Sequence, residues 1–373
     1  MNKVFYLSVL NTNPEVLPYD GVMKKIMLHI KTLESYGNEV DYIESDGTDT
    51  YFVSRNDKDK ICSFSNGGFE YFNKVVISAS KYITINKLKY DYIYIRHDAF
   101  SLKGYNALKV LYKHSSKIYL EIPTYFVPTK SIKNFVKYYF DKHLKKYVHR
   151  IVTDCNEQCI FGIPTIMITN GVDIEKIIPR TPTYDECINV ALVASISDYH
   201  GVNKIISAVE KEKVDRNIIF HIVGDGPKLK EYRDQIKEKH LEKSVVLYGK
   251  LTGQELDAVF NKCELGISSL ANKEIGVLFS STLKSKEYLS KGLPIISDVM
   301  LDVFYDNPKF YFYQLQNDFN LRELIDFYDS VYGERDKQNI INEIRAFAEK
   351  TCDISNVFRV LDDDYNMSKK GDC

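Results

Sequence analysis

The stretch Ala271-Asn-Lys-Glu-Ile-Gly-Val-Leu-Phe-Ser-Ser-Thr-Leu-Lys-Ser-Lys-Glu-Tyr-Leu-Ser-Lys-Gly-Leu-Pro-Ile-Ile-Ser297 reads as a loop, a helix and a strand. Small and hydroxylated residues at Ser280, Ser281 and Thr282 open the helix, so unpaired backbone N–H groups and the positive end of the helix dipole face whatever lies in front of them. Such an end suits an anion, most simply a phosphate. Lys284 and Glu287 stand three apart on one helix face. A cation there suits a diphosphate and a carboxylate suits sugar hydroxyls; an ordinary surface ion pair on a sheet-packed helix has the same spacing.

Working outward, the second half alternates strand and helix. Strands are expected at Ile188–Ile196, Ile218–Val223, Val245–Tyr248, Leu265–Ser268, Pro294–Val299 and Phe310–Tyr313, with helices at Val202–Lys213, Lys228–His240, Gly253–Cys263, Leu321–Tyr332 and Lys337–Glu349. The first half opens the same way, with a strand from Lys3, a helix over Met23–Tyr36 closed by Gly37, and a strand at Val40–Ile43. A helical stretch near Glu70–Asn86, the strand Tyr92-Ile-Tyr-Ile-Arg-His-Asp, a helix near Leu102–Lys113 and the strand Lys117-Ile-Tyr-Leu-Glu-Ile continue it. Ile151-Val-Thr and Thr165-Ile-Met-Ile are two further strands around a short helix. Repeated βα units imply parallel sheets. The fold class is therefore α/β, with two Rossmann-like domains facing a cleft. The expected boundaries are a first domain over 1–172, a linker over 173–187 marked by its Pro and polar content, a second domain over 188–350, and a C-terminal helix and frayed tail over 351–373.

Residues 44–69 are charged and irregular, with one short strand at Tyr51-Phe-Val. From Lys130 to Arg150 one helix is expected, with one face of Ile132, Phe135, Val136, Tyr139, His143, Leu144 and Tyr147 and the other of Lys133, Lys137, Lys142, Lys145 and Lys146. The lysine face is either solvated or set against anionic lipid headgroups.

At 373 residues the chain is long for one core. Its formal net charge of -1 gives no basic footprint for nucleic acid. Seven cysteines without a Cys-x-x-Cys pair point to reduced thiols and a cytoplasmic setting, and Cys155 and Cys159 lack companions at zinc spacing. The apolar run at the N-terminus is too short for a signal peptide or a membrane span.

Several second-half elements together resemble one family. Ile222-Val-Gly-Asp-Gly-Pro after a strand, Val246-Leu-Tyr-Gly-Lys before a helix bearing Glu255, and Leu283-Lys-Ser-Lys-Glu-Tyr-Leu-Ser-Lys-Gly-Leu-Pro-Ile-Ile are similar to the nucleotide-sugar domain of retaining GT-B glycosyltransferases of glycosyltransferase family 4. Asn170-Gly-Val-Asp resembles the family's interdomain turn, and Pro123-Thr-Tyr resembles members that build bacterial surface polysaccharides. The resemblance is strongest from 170 to 297.

It implies a sugar transferred with retention from a nucleoside diphosphate sugar, with UDP the expected nucleotide, to a lipid-linked or growing glycan. The donor would be a substrate, and neither metal nor cofactor is needed. The enzyme would be cytoplasmic, with peripheral contact to the inner face of the membrane. Lys284 and Glu287 would be catalytic. The diphosphate would lie against Ser281, Thr282 and Leu283, the base near Tyr248 and Gly249, and Gly21, Ser195, His200 and Gly224 would complete the donor site. Arg96, His97, Thr124 and Tyr125 are sugar-side or acceptor candidates.

Three departures from the family stand out. Its E-x7-E pair would place the first glutamate at Phe279, and Glu274 lies five residues too early. Where the family carries an Arg and a Lys after the first strand of this domain, the chain has Ser195 and His200, which leaves Lys284 to supply the positive charge. A frequent family histidine aligns with Pro123. These departures keep two alternatives open, a nucleotide-sugar epimerase and a non-catalytic partner that retains the fold. A metal-dependent GT-A transferase would use Asp57-Lys-Asp59 or Asp362-Asp-Asp364, which lie in the irregular stretch and the tail. Gly224-Asp-Gly226 lacks the third glycine of a dinucleotide fingerprint.

Overall fold

Runs such as Val4-Phe5-Tyr6-Leu7 and Tyr92-Ile93-Tyr94-Ile95 are buried along their whole length. That is the mark of strands covered on both faces by helices, as a parallel sheet requires. The computed structural model describes residues 1–11, 20–55, 57–63, 69–96, 100–122, 141–154, 157–182, 184 and 186–371. The chain divides into two compact units, one of Met1–Thr169 with Val357–Cys373 and one of Asn170–Asn356.

The first unit contains β1 (Lys3–Asn11), α1 (Asp20–Ser35), β2 (Glu39–Ser45), β3 (Asp49–Val53), β4 (Lys58–Ser63), α2 (Phe69–Ile85), β5 (Tyr90–Arg96), α3 (Leu102–Tyr112), β6 (Ser115–Glu121), β7 (Arg150–Thr153), β8 (Cys159–Ile160) and β9 (Ile163–Met167). Its nine strands are ordered β4-β3-β2-β1-β5-β6-β7-β9-β8. The six central strands run parallel, and β3, β4 and β8 add antiparallel edges.

Three expectations change here. The irregular 44–69 stretch contains a hairpin, turned by Asp46, whose Oδ1 accepts from the Thr48 N–H (2.9 Å) and the Asp49 N–H (2.7 Å). That hairpin joins β2 to β3; the next strand, β4, pairs antiparallel with β3 and carries Lys58, Asp59 and Lys60 because it is an edge, where charge discourages pairing with another chain, so it shows no apolar alternation. The short helix expected between Ile151-Val-Thr and Thr165-Ile-Met-Ile is, among the described residues, the strand β8 turned back onto β9. Of the helix expected over 130–150, only 141–150 lie within the described residues. There, Asp141–Lys146 form a 3-10 turn and Arg150 already starts β7.

The second unit contains β10 (Ile188–Val193), α4 (Val202–Lys211), β11 (Ile218–Val223), α5 (Leu229–Glu238), β12 (Val245–Gly249), α6 (Gly253–Lys262), β13 (Leu265–Ile267), β14 (Phe279–Ser280), α7 (Leu283–Lys291), β15 (Ile295–Ser297), β16 (Met300–Leu301), β17 (Phe312–Gln314), α8 (Leu321–Tyr332) and α9 (Lys337–Thr351). Its main sheet, β12-β11-β10-β13-β15-β17, is wholly parallel, and β14 pairs with β16 beside it. The stretch read as the start of a linker is tied into this unit. The Arg180 N–H donates to the Lys291 carbonyl at 3.0 Å, and the Arg345 guanidinium donates to the carbonyls of Ile174 and Ile177.

The tail is not frayed through the described residues: α10 runs over Ile354–Gly371. Ile354, Phe358, Leu361 and Tyr365 recur at helical spacing and are buried. Phe358 lies on His29, with ring centroids 4.3 Å apart. The acidic run is part of the docking: Asp364 accepts from Tyr119 Oη (2.7 Å) and from Arg150 Nε (3.2 Å), and Tyr365 Oη donates to Asp91 (2.9 Å). Burial alone would raise the Asp364 carboxyl, but hydrogen bonds from His149 and Tyr119 with the Arg150 cation hold it down at about 2.

Replacing Phe358 by Ala removes a fully buried ring from this contact. The first unit should lose about 3–5 kcal/mol, read as an earlier urea transition. An unmoved transition would mean that α10 contributes nothing to that core.

Candidate functional site

In an open parallel sheet, ligands bind beyond the carboxyl ends of the strands, and in the second unit those ends are laced together. The Ala194 N–H donates to the Val223 carbonyl (3.0 Å), the Ile196 N–H to the Asp225 carbonyl (2.8 Å) and the Gly224 N–H to the Gly249 carbonyl (2.8 Å). Gly224 has φ +138°, and a Cβ there would stand 1.7 Å from the Ala194 carbonyl oxygen, so only glycine fits. Beyond β12 the ladder with β11 skips Tyr248, pairing Ile222 with Leu247 and Val223 with Gly249. The bulge releases the Tyr248 backbone from the ladder. Its side chain is engaged elsewhere, through Tyr248 Oη to His221 Nδ1 at 2.8 Å.

Helix α7 starts where the hydroxyl pattern places it. Thr282 is the N-cap and its Oγ1 accepts from the Ser285 N–H at 3.3 Å. The Leu283 and Lys284 amides precede the helical ladder. Ser281 serves the fold: its Oγ donates to Asp302 Oδ2 (2.9 Å) and accepts from the Asn170 N–H (3.0 Å), while its carbonyl accepts from Asn170 Nδ2 (2.6 Å). Asp302 Oδ1 takes the ammonium of Lys286 at 2.5 Å, with both side chains fully buried. The hydroxyls of Ser281 and Thr282 therefore build the helix start, and the backbone is what they present.

Lys284 stands apart from the other lysines of this helix. Its ammonium is sealed from solvent and has no hydrogen-bond partner, so it is not paired with Glu287. Burial pushes its pKa down to about 7, against a weaker upward pull from Asp298. His200, also buried, bonds through Nδ1 to Ser197 Oγ at 3.0 Å. Burial, aided by the Lys284 cation, holds it at about 3, so this imidazole is neutral at physiological pH. Asp298 Oδ2 accepts from the Lys273 N–H at 2.9 Å, while Asp298 Oδ1 and the hydroxyl of Ser268 are buried without partners. Ser268 follows β13 and Asp298 follows β15, so these two unsatisfied atoms belong to the carboxyl ends of neighbouring strands, and the Lys284 ammonium to the helix between them. Buried polar atoms are seldom left unpaired, and such a group asks for a ligand.

Ser195 is exposed on the loop after β10, and Leu283 packs partly into the core. Glu287 is half-buried one turn inside α7. Phe279 lies edge-on to Tyr305, with centroids 5.8 Å apart, and Glu274 is paired with Lys204 at 2.7 Å.

In the first unit, Arg96 ends β5 beside Glu121, which ends β6, and the two form an ion pair. Lys25 from α1 reaches the same carboxylate at 3.0 Å, and Tyr94 Oη donates to it at 3.0 Å. Burial would raise Glu121, but Lys25 and Arg96 hold it well below the carboxylate range. Lys25 and Glu121 were not singled out from sequence, although a glutamate ending an apolar strand was a visible signal. Gly21 lies in the first turn of α1 rather than in a loop, and nothing stands within 4 Å of where its Cβ would be. His97, Thr124 and Tyr125 lie outside the described residues. Among the described residues no cluster of three or more His, Cys, Asp or Glu could hold a metal, and no helix is long and apolar enough to cross a membrane.

Residues 173–296 match the family model described as "Glycosyl transferases group 1". The whole chain is similar in fold to solved structures. A glycosyltransferase from Rickettsia africae is 15% identical over 98% of this chain and 99% of its own, with a TM-score of 0.71. Sucrose-phosphate synthase from Thermosynechococcus elongatus is 11% identical over 100% of both chains, with a TM-score of 0.66. HepE from Anabaena, solved in complex with UDP and glucose, is 15% identical over 98% of this chain and 100% of its own, with a TM-score of 0.59. The architecture is that of the GT-B glycosyltransferases. No curated protein sequence matches the chain.

Because the folded pKa of Lys284 lies below its unfolded value of 10.5, the unfolded chain holds more protons between about 7 and 10.5, and this group makes stability rise with pH across that window. Lys284→Met should therefore unfold later than the parent, by roughly a few kcal/mol at neutral pH, with the gap closing toward pH 10.5. A variant less stable than the parent at pH 7 would show that the ammonium is paired after all.

Proposed function

We propose that this chain is a glycosyltransferase that moves a sugar from a nucleoside diphosphate sugar, UDP-linked, to a lipid-linked or growing glycan with retention of configuration, as a member of glycosyltransferase family 4. The observation that carries the reading is the buried, partnerless ammonium of Lys284 at the start of α7. A diphosphate laid against the Leu283 and Lys284 amides would give that ammonium its counter-ion. The match of residues 173–296 and the UDP bound by the similarly folded HepE support the same donor.

In this reading the bond between the anomeric carbon and the diphosphate breaks as negative charge builds on the leaving oxygen. The helix-start amides and Lys284 stabilise that charge, being already in place before the reaction. The acceptor hydroxyl attacks from the leaving-group side and passes its proton to the departing diphosphate. Glu287 accepts from the ribose hydroxyls, the Tyr248 backbone freed by the bulge meets the base, and neutral His200 donates without adding charge. Arg96, steadied by Glu121, serves the acceptor side. The reaction uses no metal or cofactor. The enzyme works in the cytoplasm, and its lysine-rich segment before β7 touches the inner membrane surface during polysaccharide synthesis.

Thermal-shift titration with UDP, GDP and ADP, followed by turnover assays with the matching sugars and polyprenyl-linked acceptors, tests this. UDP should raise the melting temperature of the parent, and Lys284→Met should weaken UDP binding by about tenfold or more, the size of a lost charge-assisted hydrogen bond. If no nucleoside diphosphate binds, the proposal fails.

A further inference from the structure

We infer that the second unit binds a small inorganic anion, of halide size, in its interior against the guanidinium of Arg180. Arg180 lies on the segment that leads into β10 and is 1% exposed. Its backbone N–H is tied to the carbonyl of Lys291 at the end of α7, and its Nη2 donates to Tyr332 Oη at the end of α8 (2.9 Å). Its Nε and Nη1 are buried and donate to nothing. Among the described residues the guanidinium makes no ion pair, although Lys291 and Lys337 nearby each have one. Buried polar groups are seldom left this way.

The surrounding groups supply no counter-charge. The carboxylate of Glu264, fully buried just before β13, is engaged by Lys337 and Tyr328 Oη at Oε1 and by the Asn189 N–H at Oε2. What meets the Arg180 network is the Glu264 backbone carbonyl, which accepts from Tyr332 Oη at 2.9 Å. Asp257 is taken by Lys291 at 2.5 Å. Burial pushes the Cys263 thiol well above its ordinary value against the pull of the Arg180 cation, and burial raises the Tyr332 hydroxyl as well, so both stay neutral. Lys284 escapes the same difficulty because its pKa of about 7 lets it shed a proton. A guanidinium keeps its charge. The two cations also stand at opposite ends of one sheet: Glu264 precedes β13, while Ser268, in the Lys284 cluster, follows it.

Charge and enclosure together select the ligand. A water molecule would satisfy the open N–H groups but leave the charge uncompensated, and an unpaired buried charge costs far more than an unpaired polar group. An anion answers both. Arg180, Cys263, Glu264 and Tyr332 are all buried, so a nucleotide or a sugar has no way in. A halide is spherical and accepts from donors in any direction. A phosphate would bring further oxygens that need donors of their own.

Thermal unfolding of the full chain in rising sodium chloride tests this, with ionic strength held constant by sodium gluconate, whose anion is too large for a closed site. The unfolding temperature of the parent should rise with chloride and level off, gaining roughly 5–10 °C once chloride exceeds its dissociation constant a hundredfold. Bromide should act alike and give an anomalous-scattering peak beside Arg180 Nε and Nη1 in a crystal of the parent. Arg180→Met should respond to neither halide, and Lys284→Met should respond as the parent does. An unresponsive parent, an equal response in Arg180→Met, or a response lost in Lys284→Met alone overturns the proposal. Should Arg180→Met fail to fold, the bromide crystal decides, and no peak at the guanidinium overturns it. Each of these results leaves the donor reading standing, because UDP binding is measured separately.

Discussion

The buried ion pair between Lys286 and Asp302 holds the start of helix α7 in place. Asp302 bonds Lys286 with one oxygen and the Ser281 hydroxyl with the other, and Ser281 in turn receives Asn170. Two charges without solvent gain little net stability, because desolvation offsets most of their attraction. What they gain is register: the loop that precedes α7 is tied to a strand end on one side and to the first residue of the second unit on the other. The parallel pairing of Phe279–Ser280 with Met300–Leu301 repeats the constraint in the backbone.

Once that loop is fixed, Lys284 has nowhere to go. Lys286, two residues on, has a carboxylate waiting; Lys284 has neutral His200 and, more weakly, Asp298. The fold tolerates the cost of an unmatched ammonium because the group sits half-deprotonated near neutrality instead of fully charged. A bound diphosphate would reverse the balance, favour the charged form and draw a proton into the site. Strain of this local kind is expected where a ligand completes the structure.

Much of this was legible in the residues. The alternation of apolar strands and amphipathic helices indicates two parallel sheets, because strands buried on both faces read as continuous apolar runs. The hydroxyls before Leu283 mark the cap of α7 for an equally local reason. What was not legible depends on distant partners. Ser281 looks like a ligand group until Asp302 and Asn170 claim it. The two lysines of α7 look alike until one meets a carboxylate and the other does not. The charged strand β4 hides because edges need no apolar face. Asp362 to Asp364 read as a frayed tail because Tyr119, Arg150 and Asn38, which receive them, lie far off in sequence.

Proton linkage tests directly whether the Lys284 ammonium is the group that receives the diphosphate. Isothermal titration calorimetry of UDP binding at about pH 8, in buffers of different ionisation enthalpy, measures the protons taken up. With a Lys284 pKa of about 7 in the empty site, the parent should take up about one proton per UDP bound, and Lys284→Met should take up none. Tight UDP binding by the parent without proton uptake would contradict the account.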